Sequence, residues 1–292
     1  MQKHRIEIDG QRFEYLQSGA GPPLLLIHGL LGGSFCWRFN IPAFSQQYTT
    51  MALDLSGFGE NGSLRNHSLC NHGDDRESCG MQAQAARLAA LLRKLELESV
   101  DIVGSSWGGA VAIFLAAQSR RVRSLVLAAP VNPWSGFGAG RIRFFNRPIG
   151  RTLLRMLMPV SHPLHKTALR RMYGDPARIS AGTLEGYSAL LMRRGRARGI
   201  LNTLRPWEND LAALHAAVSR VQARSLLIWG TRDGAVDLKS SETLMRMLPE
   251  CELAMIQGAG HLPFEETPDE FNRLTLEFLA RTSVGQRARK AL

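Results

Sequence analysis

The stretch SVDIVGSSWGGAVAIFLAAQ, Ser99–Gln118, changes character at its middle. Ser99–Val103 is a short, largely apolar run of the kind that forms a strand buried on both faces. Trp107–Gln118 is apolar throughout and predicts a buried helix. Between them lies Gly104-Ser105-Ser106-Trp107-Gly108, a G-x-S-x-G sequence centred on Ser106. A strand that turns this sharply into a helix has no room for side chains beside the turn, and Gly104 and Gly108 remove them. Ser106 is left at the C-terminal edge of the sheet, above a helix N-terminus. There the backbone N–H of Trp107 can point at a developing oxyanion. The pentapeptide alone is unspecific; the strand and helix around it make Ser106 a candidate nucleophile.

Working outward, strands and helices alternate. His4–Ile8 and Arg12–Gln17 predict two strands joined at Asp9-Gly10, a tight-turn pair. Pro23–Ile27 (PLLLI), Tyr48–Leu55 and Arg123–Ala129 predict further strands, with helices over Ser34–Gln46, broken or bent at Pro42, and Met81–Leu97. The alternation stops at Val131. From there to about Asp210 only helical segments appear, punctuated by prolines. Strands resume at Ser225–Trp229 and Glu252–Ile256, with helices at Lys239–Leu248 and Pro268–Thr282 and a frayed basic tail, Gly285–Leu292. The expected architecture is α/β: a mostly parallel, doubly wound sheet built from residues 1–130 and 211–292, with a helical insertion over 131–210.

A serine hydroxyl is a poor nucleophile at neutral pH and needs a base in hydrogen-bond reach, oriented by a third group. His261 sits in Gly258-Ala259-Gly260-His261-Leu262-Pro263, just past the last strand, where two glycines and a proline can aim a side chain back at the sheet edge. Asp233 follows the apolar strand Ser225–Trp229 directly, and the C-terminal ends of parallel strands are where such a sheet carries its chemistry. Asp237 competes, but it stands four residues further from the strand and suits the cap of the next helix.

Five runs occur in register: His28-Gly29-Leu30-Leu31-Gly32-Gly33, DLSGFGEN from Asp54 to Asn61, GSSWGG, GTRDGAVD and GAGHLP. Together they resemble the α/β-hydrolase superfamily over nearly the whole chain. That resemblance implies an α/β-hydrolase fold with a helical lid, and the serine–acid–histidine order found here. It also implies a second oxyanion donor, the N–H of Leu30, beside that of Trp107. His28 and Gly29 would then flank the substrate, with His28 as structural support as the other reading. Ser34-Phe35-Cys36-Trp37 and Ile41-Pro42-Ala43 are also similar to epoxide hydrolases and haloalkane dehalogenases. Those enzymes place aspartate where Ser106 stands, which disfavours their chemistry. Carboxylesterases and carbon–carbon bond hydrolases of the meta-cleavage type keep serine. The expected activity is hydrolysis of a small or lipid-like ester through an acyl-enzyme, without metal or organic cofactor. An acyltransferase and a ligand-binding receptor on the same fold are the rivals.

The net charge of +11 is local. Residues 131–210 carry thirteen Arg and Lys166 against four acids, so the rest of the chain is close to neutral. In the resemblance this segment is the lid that shapes the substrate pocket. Phe137, Phe144, Leu262 and the apolar residues of Ile149–Met158 are the candidates to line it or to pack the lid on the core. The positive charge predicts an acidic partner: an anionic membrane surface, an acyl carrier protein or an anionic substrate. A nucleic-acid partner would call for a basic, aromatic-studded groove, and the pocket chemistry points elsewhere. Met1–Gly10 lacks the apolar core of a secretory signal, and no run approaches the ~18 apolar residues of a membrane span, so a cytoplasmic location is expected. His67, Cys70, His72 and Cys79 share one polar stretch, but their spacing fits no zinc pattern.

Overall fold

The computed structural model describes residues 1–8, 11–58, 79–136, 138–193 and 195–290. The Asp9-Gly10 turn, the end of the DLSGFGEN run, the stretch holding His67, Cys70 and His72, and Phe137 lie outside them. Cys79 is disulfide-bonded, whereas Cys36 and Cys251 are free thiols.

Among the described residues eight strands form one sheet: β1 (Gln2–Ile8), β2 (Gln11–Ser18), β3 (Pro23–Ile27), β4 (Thr49–Asp54), β5 (Val100–Ser105), β6 (Val122–Ala128), β7 (Arg224–Gly230) and β8 (Cys251–Ile256). Their spatial order is β1-β2-β4-β3-β5-β6-β7-β8. The pairs β1–β2 and β2–β4 are antiparallel, and every other pair is parallel. A two-residue connection allows only an antiparallel pair, so the hairpin supplies the exception to the parallel core.

The inner strands are apolar on both faces because both faces are covered. Leu25, Ile27, Ile102, Leu125 and Leu227 point into a cluster closed by α2 (Met81–Lys94), α3 (Trp107–Gln118) and α9 (Trp207–Val218). Their alternates Leu24, Leu26, Val103, Val126 and Ile228 point the other way, against α1 (Ile41–Phe44), α11 (Pro263–Glu266) and α12 (Pro268–Lys290). Full burial of one such side chain contributes about 1.5–3 kcal/mol, so this two-sided core dominates the stability. Helix α3 is buried from Trp107 to Ala116, which explains why its sequence has no polar face. Pro42 divides the expected Ser34–Gln46 helix into a 3-10 turn, Ser34–Trp37, and α1. The last helix runs through the expected frayed tail to Lys290. A lone glycine at 285 costs only about 1 kcal/mol, too little to end a helix already under way.

Among the described residues six α-helices separate β6 from β7: α4 (Ala139–Asn146), α5 (Pro148–Leu157), α6 (His162–Met172), α7 (Thr183–Leu191), α8 (Arg196–Leu204) and α9. The insertion boundary expected after Asp210 falls inside α9. Asp210 is buried there and accepts the N–H of Met81 at 2.6 Å, at the start of α2. The lid's apolar residues also differ from expectation. Ile149, Leu153, Met156 and Leu157 are exposed and turned away from the core.

The turn from β5 into α3 is tightly packed against neighbouring backbone. A Cβ on Gly108 would lie 2.2 Å from the carbonyl oxygen of His28 and 2.6 Å from that of Ile27, both backbone atoms with no freedom to yield. Gly108→Ala should therefore destabilise the protein by about 3 kcal/mol or more, read as a large drop in the thermal unfolding midpoint.

Candidate active site

Ser106 is held at φ 52°, ψ −120°, a conformation that residues with a side chain rarely adopt. Backbone hydrogen bonds on both sides of the residue hold it there. The N–H of Ser106 donates to Ala128 O at 2.8 Å, and its carbonyl accepts from Gly109 and from Val131, each at 3.0 Å. The neighbouring loop comes in closely: a Cβ on Gly29 would be 3.3 Å from Ser106 Cβ. Gly29 therefore lies against the serine, and Leu30 follows it in the same loop.

His261 reaches the serine from the loop after β8. Its Nε2 is 2.9 Å from Ser106 Oγ, and its Nδ1 is 2.9 Å from Asp233 Oδ2. An ionised carboxylate only accepts, so in the neutral ring Nδ1 carries the hydrogen and Nε2 is left to accept from the serine hydroxyl. The other oxygen of Asp233 accepts from the N–H groups of Ala235, at 2.7 Å, and Val236, at 3.0 Å, which fixes the carboxylate plane. Ser106 is 7% exposed, His261 4%, and the Asp233 side chain is fully buried. The hydrogen-bonded chain therefore works at low local dielectric, where each link is stronger than in water. Asp237 takes no part: its Oδ1 accepts from the N–H of Lys239 at 3.0 Å, at the start of α10 (Lys239–Met247).

Two residues with no sequence signal hold these loops. Buried Glu266 accepts from the N–H of Gly260 at 2.7 Å and from those of Gly174 and Asp175, both at 2.9 Å. It thereby ties the histidine loop to the turn after α6, and the N–H of His261 adds a 2.7 Å bond to Met172 O. Arg196, the first residue of α8, is fully buried. Its guanidinium donates to Gly32 O at 2.6 Å and Gly57 O at 3.4 Å, and it stacks 4.9 Å from the Phe58 ring. A lid arginine thus pins the His28–Gly33 loop from behind. Charge at 196 was visible in the sequence only as one of thirteen lid arginines, and periodicity does not reveal which of them turns inward.

The remaining candidates fall in different places. His28 is buried, donates from Nδ1 to Gly29 O at 2.8 Å and accepts the N–H of Leu55 at Nε2, 3.1 Å away. Both nitrogens are occupied by backbone, so the ring braces the loop and offers nothing to a substrate. Burial pushes its pKa down to about 4. Phe144 is exposed on α4 against Phe145, and Leu262 is half-buried against the α11–α12 side of the core. A cleft of about 660 Å³ opens elsewhere, lined by Phe35, Arg38, Leu190 and Arg193 among others, and reaches none of Ser106, His261 and Asp233. The hydrogen-bonded chain, and not that cleft, carries the candidate chemistry.

The model of the alpha/beta hydrolase family matches residues 24–274. The chain belongs to the alpha/beta hydrolase family. Family and fold together mark a hydrolase of that superfamily. The chain is 26% identical over 287 residues to a dihydrolipoyllysine-residue acetyltransferase component of an acetoin cleaving system from Pseudomonas putida, covering 95% of this chain and 69% of that one. It is 27% identical to a magnesium-chelatase 30 kDa subunit of Rhodobacter capsulatus, over 89% of this chain and 87% of that one. Among solved structures it is similar to a thermophilic esterase from Thermogutta terrifontis, with a TM-score of 0.78 and 21% identity over 97% and 99% of the two chains.

The buried His28 links stability to pH. Unfolded, a histidine takes up its proton near pH 6.5, whereas burial holds His28 neutral down to about pH 4. Between those values the unfolded chain binds more protons, so the contribution is complete above pH 6.5 and shrinks as pH falls, by about 3 kcal/mol in all. In urea titrations from pH 7 to pH 4, His28→Asn should flatten this part of the slope relative to wild type. Arg196→Met leaves the Gly32 carbonyl unpaired and should lower stability by about 2–3 kcal/mol, read in the same titrations at pH 7.

Proposed function

We propose that the protein is a serine hydrolase that cleaves a carboxylic ester through an acyl-enzyme. The observation that carries this reading is the relay Asp233–His261–Ser106, with both links at 2.9 Å. Ser106 Oγ attacks the ester carbonyl while His261 Nε2 takes the hydroxyl proton. Asp233 holds the tautomer that makes Nε2 basic and stabilises the imidazolium. The N–H groups of Trp107 and Leu30 bind the oxyanion, each worth about 3 kcal/mol of barrier. Collapse of the tetrahedral intermediate breaks the carbon–oxygen bond, and His261 returns the proton to the departing alcohol. A water then attacks the acyl-enzyme with His261 again as base, releasing the acid and regenerating the serine. No metal or organic cofactor enters this scheme.

Residues 131–210 serve as the lid over the site, and α9, which runs across their C-terminal end, packs into the core. Gly29 and Leu262, adjacent to the loop and the histidine that carry the chemistry, would meet the acyl group. An apolar, lipid-like acyl chain suits a site sealed this thoroughly from water. Hydrolysis of a carrier-bound ester or thioester, or of a carbon–carbon bond, would use the same relay.

Incubation with a fluorophosphonate, followed by peptide mapping, should give one adduct on Ser106. Hydrolysis of p-nitrophenyl esters from acetyl to decanoyl should show multiple turnovers. Ser106→Ala should cut kcat by about 10⁴-fold or more with the fold intact. Equal turnover in wild type and Ser106→Ala would sink the mechanism, and labelling with turnover stalled after one equivalent would indicate a receptor.

A further inference from the structure

Helix α5 is amphipathic in the wrong sense for a helix packed on a core. Its apolar stripe faces solvent. Ile149, Leu153, Met156 and Leu157 follow one another at spacings of four, three and one, the period of a single helical face, and Val160 and Leu164 extend the exposed apolar surface beyond the end of that helix. The six are 38–72% exposed, and the stripe runs off the end of α5, through the intervening turn and onto the first turn of α6. The turn is fixed, because His165 Nε2 donates to Met158 O at 2.9 Å. The face that α5 turns inward is small: Gly150, whose Cβ would collide with Phe144 O, and the partly buried Leu154 and Met158. Isolated apolar residues on a surface need no explanation, but six large ones in one short stretch do.

The charges that flank the stripe along the chain are of one sign. From Val131 to Gly174 the chain has seven Arg and one Lys and no Asp or Glu. Arg147, Arg155, Lys166 and Arg170 are exposed, and among the described residues none of them has an acidic partner. We infer that this face, α5 with the start of α6, docks the protein on an anionic lipid surface. An interfacial helix needs both elements: apolar side chains that enter the headgroup–acyl boundary and cations that meet the anionic headgroups. An acidic protein would satisfy the arginines but leave six bulky apolar groups against a polar surface. A second copy of this chain would cover the apolar groups but bring the uncompensated cations together. A bilayer satisfies both at once. No helix of the described residues is long and apolar enough to cross a membrane, so the contact is with the surface.

The docking does not depend on Ser106 chemistry, and its test needs no turnover. The full chain is floated with vesicles of phosphatidylcholine alone or doped with phosphatidylglycerol, at low and high salt. Wild type should rise with the anionic vesicles at low salt, stay behind with the zwitterionic ones, and be released by salt. Arg147→Glu with Arg155→Glu should weaken anionic binding by at least about 30-fold. Met156→Ser with Val160→Ser, which keeps every charge, should weaken it by about tenfold. All four positions are exposed, so the circular dichroism and thermal midpoint of both variants should match wild type. Failure of the wild type to float with anionic vesicles overturns the inference. So does loss of binding in the charge variant alone, which would mark the face as a purely ionic site for an acidic macromolecule.

Discussion

The turn between β5 and α3 admits no side chain at Gly104 or Gly108, and the rest of the site follows from that constraint. Because Gly108 has no Cβ, the backbone of Ile27 and His28 can lie within about 2–3 Å of where one would be. The loop that begins at His28 is thereby drawn against Ser106. The strained φ of Ser106 is the local cost of the same turn, on the order of 1–3 kcal/mol, and its backbone hydrogen bonds to β6, α3 and Val131 sustain it. Strain here is a consequence of setting one hydroxyl proud of a sheet edge whose core lies on both faces.

The neighbouring layers convert that edge into a defined constellation. His261 and Asp233 come from the ends of β8 and β7, separated by 28 residues in sequence and joined by one 2.9 Å hydrogen bond. Glu266 anchors the His261 loop to the lid, and the N–H groups of Ala235 and Val236 anchor the Asp233 carboxylate. Arg196 performs the equivalent service for the His28–Gly33 loop from the other side of the lid. The inner surface of the lid thus meets two buried charged groups, its own Arg196 and Glu266 of α11, and backbone partners help to make the burial of both tolerable.

Its outer surface obeys different rules. The arginines that make the segment strongly basic divide into one that is buried against carbonyls, some that pair with acids such as Glu208, and a group around α5 with no acidic partner among the described residues. The apolar residues divide similarly. Those of α8 face inward and the stripe of α5 faces outward. One stretch of basic and apolar sequence therefore serves two surfaces.

The sequence by itself determined the sheet, the helices that cover it and the identity of the candidate relay. Each rests on a local cause: wholly apolar strands, a glycine-flanked serine between a strand and a helix, an aspartate and a histidine just past strand ends. The strand limits moved by only a residue or two and α3 lies where Trp107–Gln118 predicted it, whereas α2 ends three residues early, the last helix runs eight residues further and the Ser34–Gln46 helix is split. Tertiary structure decided everything that depends on direction instead of type. Apolar residues in the lid are as compatible with lining a pocket as with facing solvent, and only packing turned the α5 stripe outward. An arginine among thirteen carries no mark of burial, and a histidine beside a glycine loop can face a substrate or brace the backbone. Glu266, Arg196 and His28 owe their roles to partners far away in the chain, and such pairings leave no periodicity in a sequence because they are set only when the chain closes on itself.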